Sequence, residues 1–187
     1  MNSRLVFFSN FLSRPKEVAA IAPSSKHLIS QILSDVALED AKCLVEYGPG
    51  IGTVTYALLE KLGQNAKLVC FETNLKFCKL IKNNIKDDRL VVINDSAENL
   101  AYHLKRLNMP NIDYAFSGIP FSLIEQKNKK GIIKTTRDKL KEGGKFVVYQ
   151  QYSMTVKKYL RIYFESIKTK FEFRNIPPSY VFVCERT

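Results

Sequence analysis

The sequence predicts an α/β domain with a seven-stranded, mostly parallel sheet, helices on both faces and the last strand antiparallel. Three observations predict it. Short apolar, β-branched runs alternate with longer stretches of helical period, the pattern of a parallel sheet covered on both sides. A glycine-rich turn, Gly48-Pro49-Gly50-Ile51-Gly52, directly follows the first of these runs and directly precedes a helical stretch. A turn containing Pro177-Pro178 is all that joins the last two runs, too short for a parallel crossover, so the sheet finishes in an antiparallel hairpin.

Taken in order, strands are expected at 43–47, 67–72, 90–94, 113–117, 145–150, 169–173 and 180–184. Helices at 53–63, 74–86, 97–107 and 122–141 fill the gaps between the first five, and one at 154–165 precedes the sixth. With 187 residues, 45% hydrophobic and 25% charged, the chain has the balance of one soluble domain, which excludes disordered and low-complexity classes. It divides into an N-terminal segment, 1–30, and the body of the single domain, 31–187.

The N-terminal segment has its own character. On a helix, Leu5, Phe7, Phe8, Phe11 and Leu12 fall in an arc of about 160°, with Ser9, Asn10 and Ser13 opposite and Arg4 and Arg14 placed to snorkel. A basic amphipathic helix of this kind either packs onto the domain, as a lid, or lies in a lipid interface. No apolar stretch reaches the roughly 18 residues of a membrane span, and Leu5-Val6-Phe7-Phe8 is too short for a secretory leader.

Lys and Arg number 29 against 18 Asp and Glu, giving +11, which favours a polyanion or an anionic membrane surface as partner. The charge is uneven: +3 over residues 1–30, −1 over 31–120 and +9 over 121–187. Four cysteines without a C-x-x-C pair, three of them in apolar runs, fit a reduced, cytoplasmic protein. His27 and His103 stand apart from any ligand cluster, so no metal site is expected.

The chemistry concentrates at the predicted strand ends, where ligands of such sheets bind. The run Glu46-Tyr47-Gly48-Pro49-Gly50-Ile51-Gly52 has G-x-G-x-G spacing, neither the G-x-G-x-x-G of a dinucleotide site nor the Gly-Lys-Ser/Thr of a P-loop. A purely structural turn remains the alternative at this point. Glu72 ends the second strand twenty residues beyond Gly52, the place of an acid that accepts hydrogen bonds from ribose hydroxyls. At the third strand end, Asp95-Ser96-Ala97 sets a carboxylate and a backbone N–H where an adenine amine and ring nitrogen could be met, although Asp95 also suits a helix cap. The fourth strand exits through Ser117-Gly118-Ile119-Pro120-Phe121, whose proline fixes the loop and leaves carbonyls to orient an amine.

Together these residues resemble a class I S-adenosylmethionine-dependent methyltransferase, over nearly the whole chain and including the Rossmann-like seven-stranded sheet. Within that class, Phe11-Leu12-Ser13-Arg14-Pro15-Lys16 followed by Ala20-Ile21-Ala22-Pro23-Ser24-Ser25 is similar to bacterial phospholipid N-methyltransferases, which methylate phosphatidylethanolamine toward phosphatidylcholine. More distantly the chain resembles the rRNA adenine dimethyltransferases, whose fourth-strand motif begins with Asn where this sequence has Gly118. Those RNA enzymes also carry a C-terminal helical domain, whereas this chain ends soon after the sheet.

The resemblance implies S-adenosyl-L-methionine as cofactor, with Glu46, Gly48, Gly50 and Gly52 around its methionine part, Glu72 at the ribose, Asp95 and Ser96 at the adenine and Ser117 near the sulfonium. It implies catalysis through positioning of the amine by carbonyls of Ser117, Gly118 and Ile119, with Tyr47, Phe121 and Tyr152 as aromatic neighbours of the substrate and no general base. The implied partner is a phospholipid on an anionic membrane surface, reached by a monomeric cytoplasmic protein peripheral to the inner face of the membrane. RNA methylation is the alternative, and a non-enzymatic lipid- or RNA-binding protein the second.

Overall fold

The computed structural model describes residues 24–187. The 1–23 stretch, which holds most of the predicted amphipathic segment, lies outside the described residues. The elements are α1 (Lys26–Leu33), β1 (Cys43–Tyr47), α2 (Thr53–Lys61), β2 (Lys67–Phe71), α3 (Leu75–Asn84), β3 (Leu90–Ile93), α4 (Leu100–Arg106), β4 (Ile112–Ser117), α5 (Gln126–Lys139), β5 (Leu140–Gln151), α6 (Lys157–Leu160), β6 (Ser166–Glu172) and β7 (Ser179–Glu185). Short 3₁₀ turns at Ala97–Asn99 and Phe121–Leu123 lead into α4 and α5.

The seven strands form one sheet in the order β3-β2-β1-β4-β5-β7-β6. Pairs from β3 to β5 are parallel, and β7 inserts antiparallel between β5 and β6. The central strands are apolar on both faces because both are covered, and all five residues of β1 are buried. On one face Val45, Phe71, Ala115, Phe146 and Phe182 pack with Leu100, Leu104, Ile132 and Ile133 of α4 and α5. On the other, Leu44, Leu68, Phe116 and Val181 pack with Ile32 of α1, Leu58 of α2 and Ile81 of α3.

Four departures from the sequence expectation have local causes. α1 runs through the expected boundary at residue 30, because Leu28, Ile32 and Leu33 are buried on the sheet and the Ser25 hydroxyl caps the helix by accepting from the Leu28 amide. The helix expected at 122–141 starts only at Gln126, after the 3₁₀ turn that follows Pro120. β5 begins at Leu140, five residues early, because Leu140 pairs with Ile112 before an irregularity in the register. The helix expected at 154–165 contracts to Lys157–Leu160, with turns beyond it.

Candidate active site

The carboxyl ends of β1 to β4 lie side by side, and backbone hydrogen bonds draw their exits together. The Gly48 amide donates to Phe71 O at 2.9 Å, the Gly118 amide to Tyr47 O at 2.9 Å and the Glu72 amide to Ile93 O at 3.0 Å. The loop after β1 needs its glycines: Gly48, Gly50 and Gly52 have φ of 67°, 56° and 86°, in the left-handed region. At Gly48 a Cβ would also stand 2.7 Å from Ile119 Cγ2, so the loop lies flat against the β4 exit.

Glu72 organises this loop from the neighbouring strand. Its Oε2 accepts from the Gly50 amide at 3.1 Å and its Oε1 from the Asn74 amide at 2.8 Å. Asn94, at the end of β3, donates to Glu72 O and Thr73 O and so ties the third exit to the second. Next to it Asp95 accepts from the Ser96 amide, from Asn99 Nδ2 and from His103 Nε2 at 2.7 Å. The hydrogen bonds from His103 and Asn99 hold its carboxyl below the usual range. Ser96 caps the 3₁₀ turn through its hydroxyl, which accepts from the Glu98 amide.

Two polar atoms at these strand ends are buried without a partner among the described residues: Glu46 Oε1 and Ser117 Oγ. The other Glu46 oxygen accepts from Thr55 Oγ1 at 2.7 Å and Cys70 Sγ at 3.4 Å. Burial outweighs these bonds and pushes the Glu46 carboxyl up to about 7, with the Glu72 charge adding to the rise. Buried polar atoms left unpaired in a folded chain call for a partner from outside it.

The aromatic side chains distribute differently from the expectation. Tyr47 and Phe121 are fully buried in the core, and the Tyr47 hydroxyl donates to Thr136 Oγ1, which itself donates to Ile132 O. Their rings fill the sheet–helix interface, as strand alternation directs for Tyr47 and the 3₁₀ turn directs for Phe121. Tyr152 is 73% exposed just beyond β5, at φ 52°.

Three residues that the sequence did not single out for the site also shape it. Gln150 Nε2 donates to Ile119 O at 2.8 Å while its Oε1 accepts from the Phe121 amide at 3.2 Å, fixing both sides of the β4 exit. Tyr149 fills the space beside Gly118, where a Cβ would meet its ring at 2.7 to 2.9 Å. His103 holds Asp95. Cross-sheet register placed the first two, and no local motif announces that.

The donor set fits a zwitterionic adenosine cofactor: carboxylates for hydroxyls and an ammonium, with glycines where the chain must come close. Among the described residues no group of three or more His, Cys, Asp or Glu could hold a metal ion. No described helix is long and apolar enough to cross a membrane.

Comparison with known proteins agrees with this geometry. A family model for Ribosomal RNA adenine dimethylase matches residues 24–110. An Ornithine lipid N-methyltransferase of Singulisphaera acidiphila is 21% identical over 185 residues, 98% of this chain and 96% of that protein. Ribosomal RNA small subunit methyltransferase A of Streptococcus pneumoniae is 25% identical over 155 residues, 70% of this chain, which spans about half (52%) of that relative. Among solved structures, an rRNA methylase from Streptococcus thermophilus superposes with TM-score 0.63 at 17% identity, covering 94% of this chain and 99% of that one. A T. thermophilus 16S rRNA N2 G1207 methyltransferase in complex with AdoMet and guanosine gives 0.63 at 16%, covering 86% and 42%. The matching family model, the curated relatives and the superposing folds share one chemistry, and the chain is a class I S-adenosylmethionine-dependent methyltransferase.

Proposed function

We propose that the protein methylates the amine head group of a membrane lipid, with phosphatidylethanolamine the first candidate and the amine of an ornithine lipid the second. Gly118 carries this reading. It stands where the rRNA adenine dimethyltransferases have the Asn that grips the base, and the Tyr149 ring leaves no room there for any side chain. The full-length match to an ornithine lipid N-methyltransferase supports the same substrate class.

Bound S-adenosylmethionine supplies an electrophilic methyl group. Glu72, which holds the Gly50 amide, would meet the cofactor's ribose hydroxyls, and Asp95, which accepts from the Ser96 amide, would with Ser96 meet its adenine. Glu46 Oε1, buried without a partner, would accept from the methionine ammonium, and Ser117 Oγ, likewise unpartnered, would face the sulfonium end. Carbonyls of Ser117, Gly118 and Ile119 accept N–H bonds from the lipid amine and aim its lone pair, which is positioning rather than acid–base catalysis. Gln150 holds the Ile119 carbonyl in place for that task. Tyr152, exposed at the rim, offers a ring face to the cationic product.

Methyl transfer from labelled S-adenosylmethionine to phosphatidylethanolamine and to ornithine lipid in anionic vesicles, beside unmodified ribosomal RNA, tests the reading. Label is expected in a lipid fraction, and Glu72→Ala is expected to abolish it by freeing the glycine loop. Label in RNA alone would overturn the proposal.

A further inference from the structure

We propose that the carboxyl-end rim formed by the β4 exit, the β5 exit and the β6–β7 turn is a membrane-docking surface that inserts apolar side chains into an anionic lipid bilayer. The inference rests on the lipid reading above and adds the surface that would deliver the site to its substrate.

Five large apolar residues project from this rim: Leu123, Tyr152, Met154, Phe173 and Ile176 are 82%, 73%, 44%, 69% and 85% exposed. They come from three separate connections, yet hydrogen bonds fasten those connections to one another. Gln150 joins the β4 and β5 exits, and the Tyr152 amide donates to Pro178 O at 3.2 Å, joining the β5 exit to the β6–β7 turn. The apolar tips therefore sit on a braced edge, at the end of the strands that carries the site.

Charge at the same edge fits an anionic surface. Residues 121–130, 151–160 and 172–178 contain six basic side chains against two acids, Glu125 and Glu172; Lys129 is buried and Arg174 is paired with Glu172, which leaves Lys127, Lys130, Lys157 and Lys158 to face solvent. Lys129 and Lys158 both approach the Tyr159 ring, at 4.6 and 5.1 Å, which brings the starts of α5 and α6 together. Lys127, Lys130 and Lys157 make no ion pair among the described residues, although elsewhere Asp35, Asp113 and Asp138 each pair with lysines. Arg174 stacks over Phe173 at 5.6 Å while bonded to Glu172, so a cation stands beside the most prominent ring of the turn. Protruding apolar tips with cations around them match the chemistry of an interface of acyl chains and anionic head groups. A groove would be needed to receive a helix, and these residues project instead.

The chain contains no Trp, so Phe173→Trp places a single Trp at the turn, whose emission is read apart from the nine tyrosines by selective excitation. With vesicles of equal phosphatidylcholine and phosphatidylglycerol at low salt, its emission is expected to shift to the blue and to be quenched by brominated acyl chains. In sedimentation with the same vesicles, F173S/I176S is expected to lose at least about tenfold in partitioning, whereas Ile162→Ser, at an exposed apolar residue outside these three connections, retains it. Methylation of detergent-dispersed short-chain lipid by F173S/I176S is expected to stay within about twofold of wild type, which shows that the variant is folded.

Equal partitioning of F173S/I176S and wild type would overturn the proposal, as would failure of the wild type to sediment. Emission already blue before vesicles are added would mean the chain itself covers the turn, and also overturns it. Loss of RNA binding in F173S/I176S with vesicle binding unchanged would assign the surface to RNA instead. Turn-dependent vesicle binding by a protein that methylates no lipid in any form would uphold the surface while the substrate reading fell.

Discussion

Glu46 faces the buried side of β1 with one oxygen bonded and the other free, and its titration can be followed through stability. In the unfolded chain its carboxyl loses its proton near 4.5, in the folded chain near 7. Between these values the native state binds the extra proton, so the contribution of this one group to stability is fully present below 4.5 and is lost as pH rises through 7, by about 3 kcal/mol. Urea unfolding at several pH values should show Glu46→Gln removing that decline. On the proposed cofactor role, affinity for S-adenosylhomocysteine should rise as wild type passes pH 7, and calorimetry on Glu46→Gln should show the dependence gone. At Gly48, Ala meets both a left-handed φ and the Ile119 side chain at 2.7 Å, so Gly48→Ala should cost about 1–3 kcal/mol and loosen cofactor binding, measured by unfolding and calorimetry. The glycines were legible in the sequence because a left-handed backbone restricts the residue type. Glu72 was legible because its position follows from strand length and turn spacing. Gln150, Tyr149 and His103 were not, since their roles arise from register and helix packing that no nearby residue encodes.

Among the elements, the β4–β5 pair decides how firmly the β4 exit, proposed to position the amine, is held. Gln150→Leu leaves the buried Phe121 amide and the Ile119 carbonyl without their shared partner, at a cost of about 1–3 kcal/mol. Methyl transfer should fall about tenfold in kcat while cofactor affinity moves less than about threefold, a split that single-turnover kinetics and calorimetry would expose. α1 contributes by packing: Ile32 is fully buried, and Ile32→Ala should lose about 2–5 kcal/mol in chemical unfolding. The first four strands were read from the sequence nearly as they stand, because both-faced burial writes continuous apolar runs, whereas β5 and β6 begin at Leu140 and Ser166, ahead of the expected 145 and 169. Helix limits fared worse. The 122–141 stretch has helical spacing throughout, but Pro120 and the extended residue Glu125 set its true start, and pairing of Leu140 with Ile112 set its end. α6 is shorter than its apolar spacing implied because the chain turns beyond Leu160 toward β6.

Over the whole molecule, +11 is borne by a domain whose described ion pairs are mostly exposed at one or both partners, so repulsion among the remaining cations opposes folding. Raising salt from about 20 to about 200 mM should therefore stabilise the protein by about 1 kcal/mol, or 2–4 °C in Tm, read by scanning calorimetry. The same salt should weaken vesicle attachment, so the two readouts move in opposite senses. The fold class was legible from alternation and from the short final turn. The position of β7 between β5 and β6 was not, because sheet order depends on which edges remain open after the parallel strands have paired.

The Ser25 amide donates to Asn175 Oδ1 at 2.9 Å, which fastens the start of α1 to the β6–β7 turn, whereas Arg186 exchanges backbone hydrogen bonds with Gly143 and Gly144 at the opposite end of the strands. The two ends of the described chain thus leave the domain at opposite poles. A sensor chip or bead that grips the protein beyond Arg186 would turn the pole that carries the candidate site outward, toward liposomes in the flow.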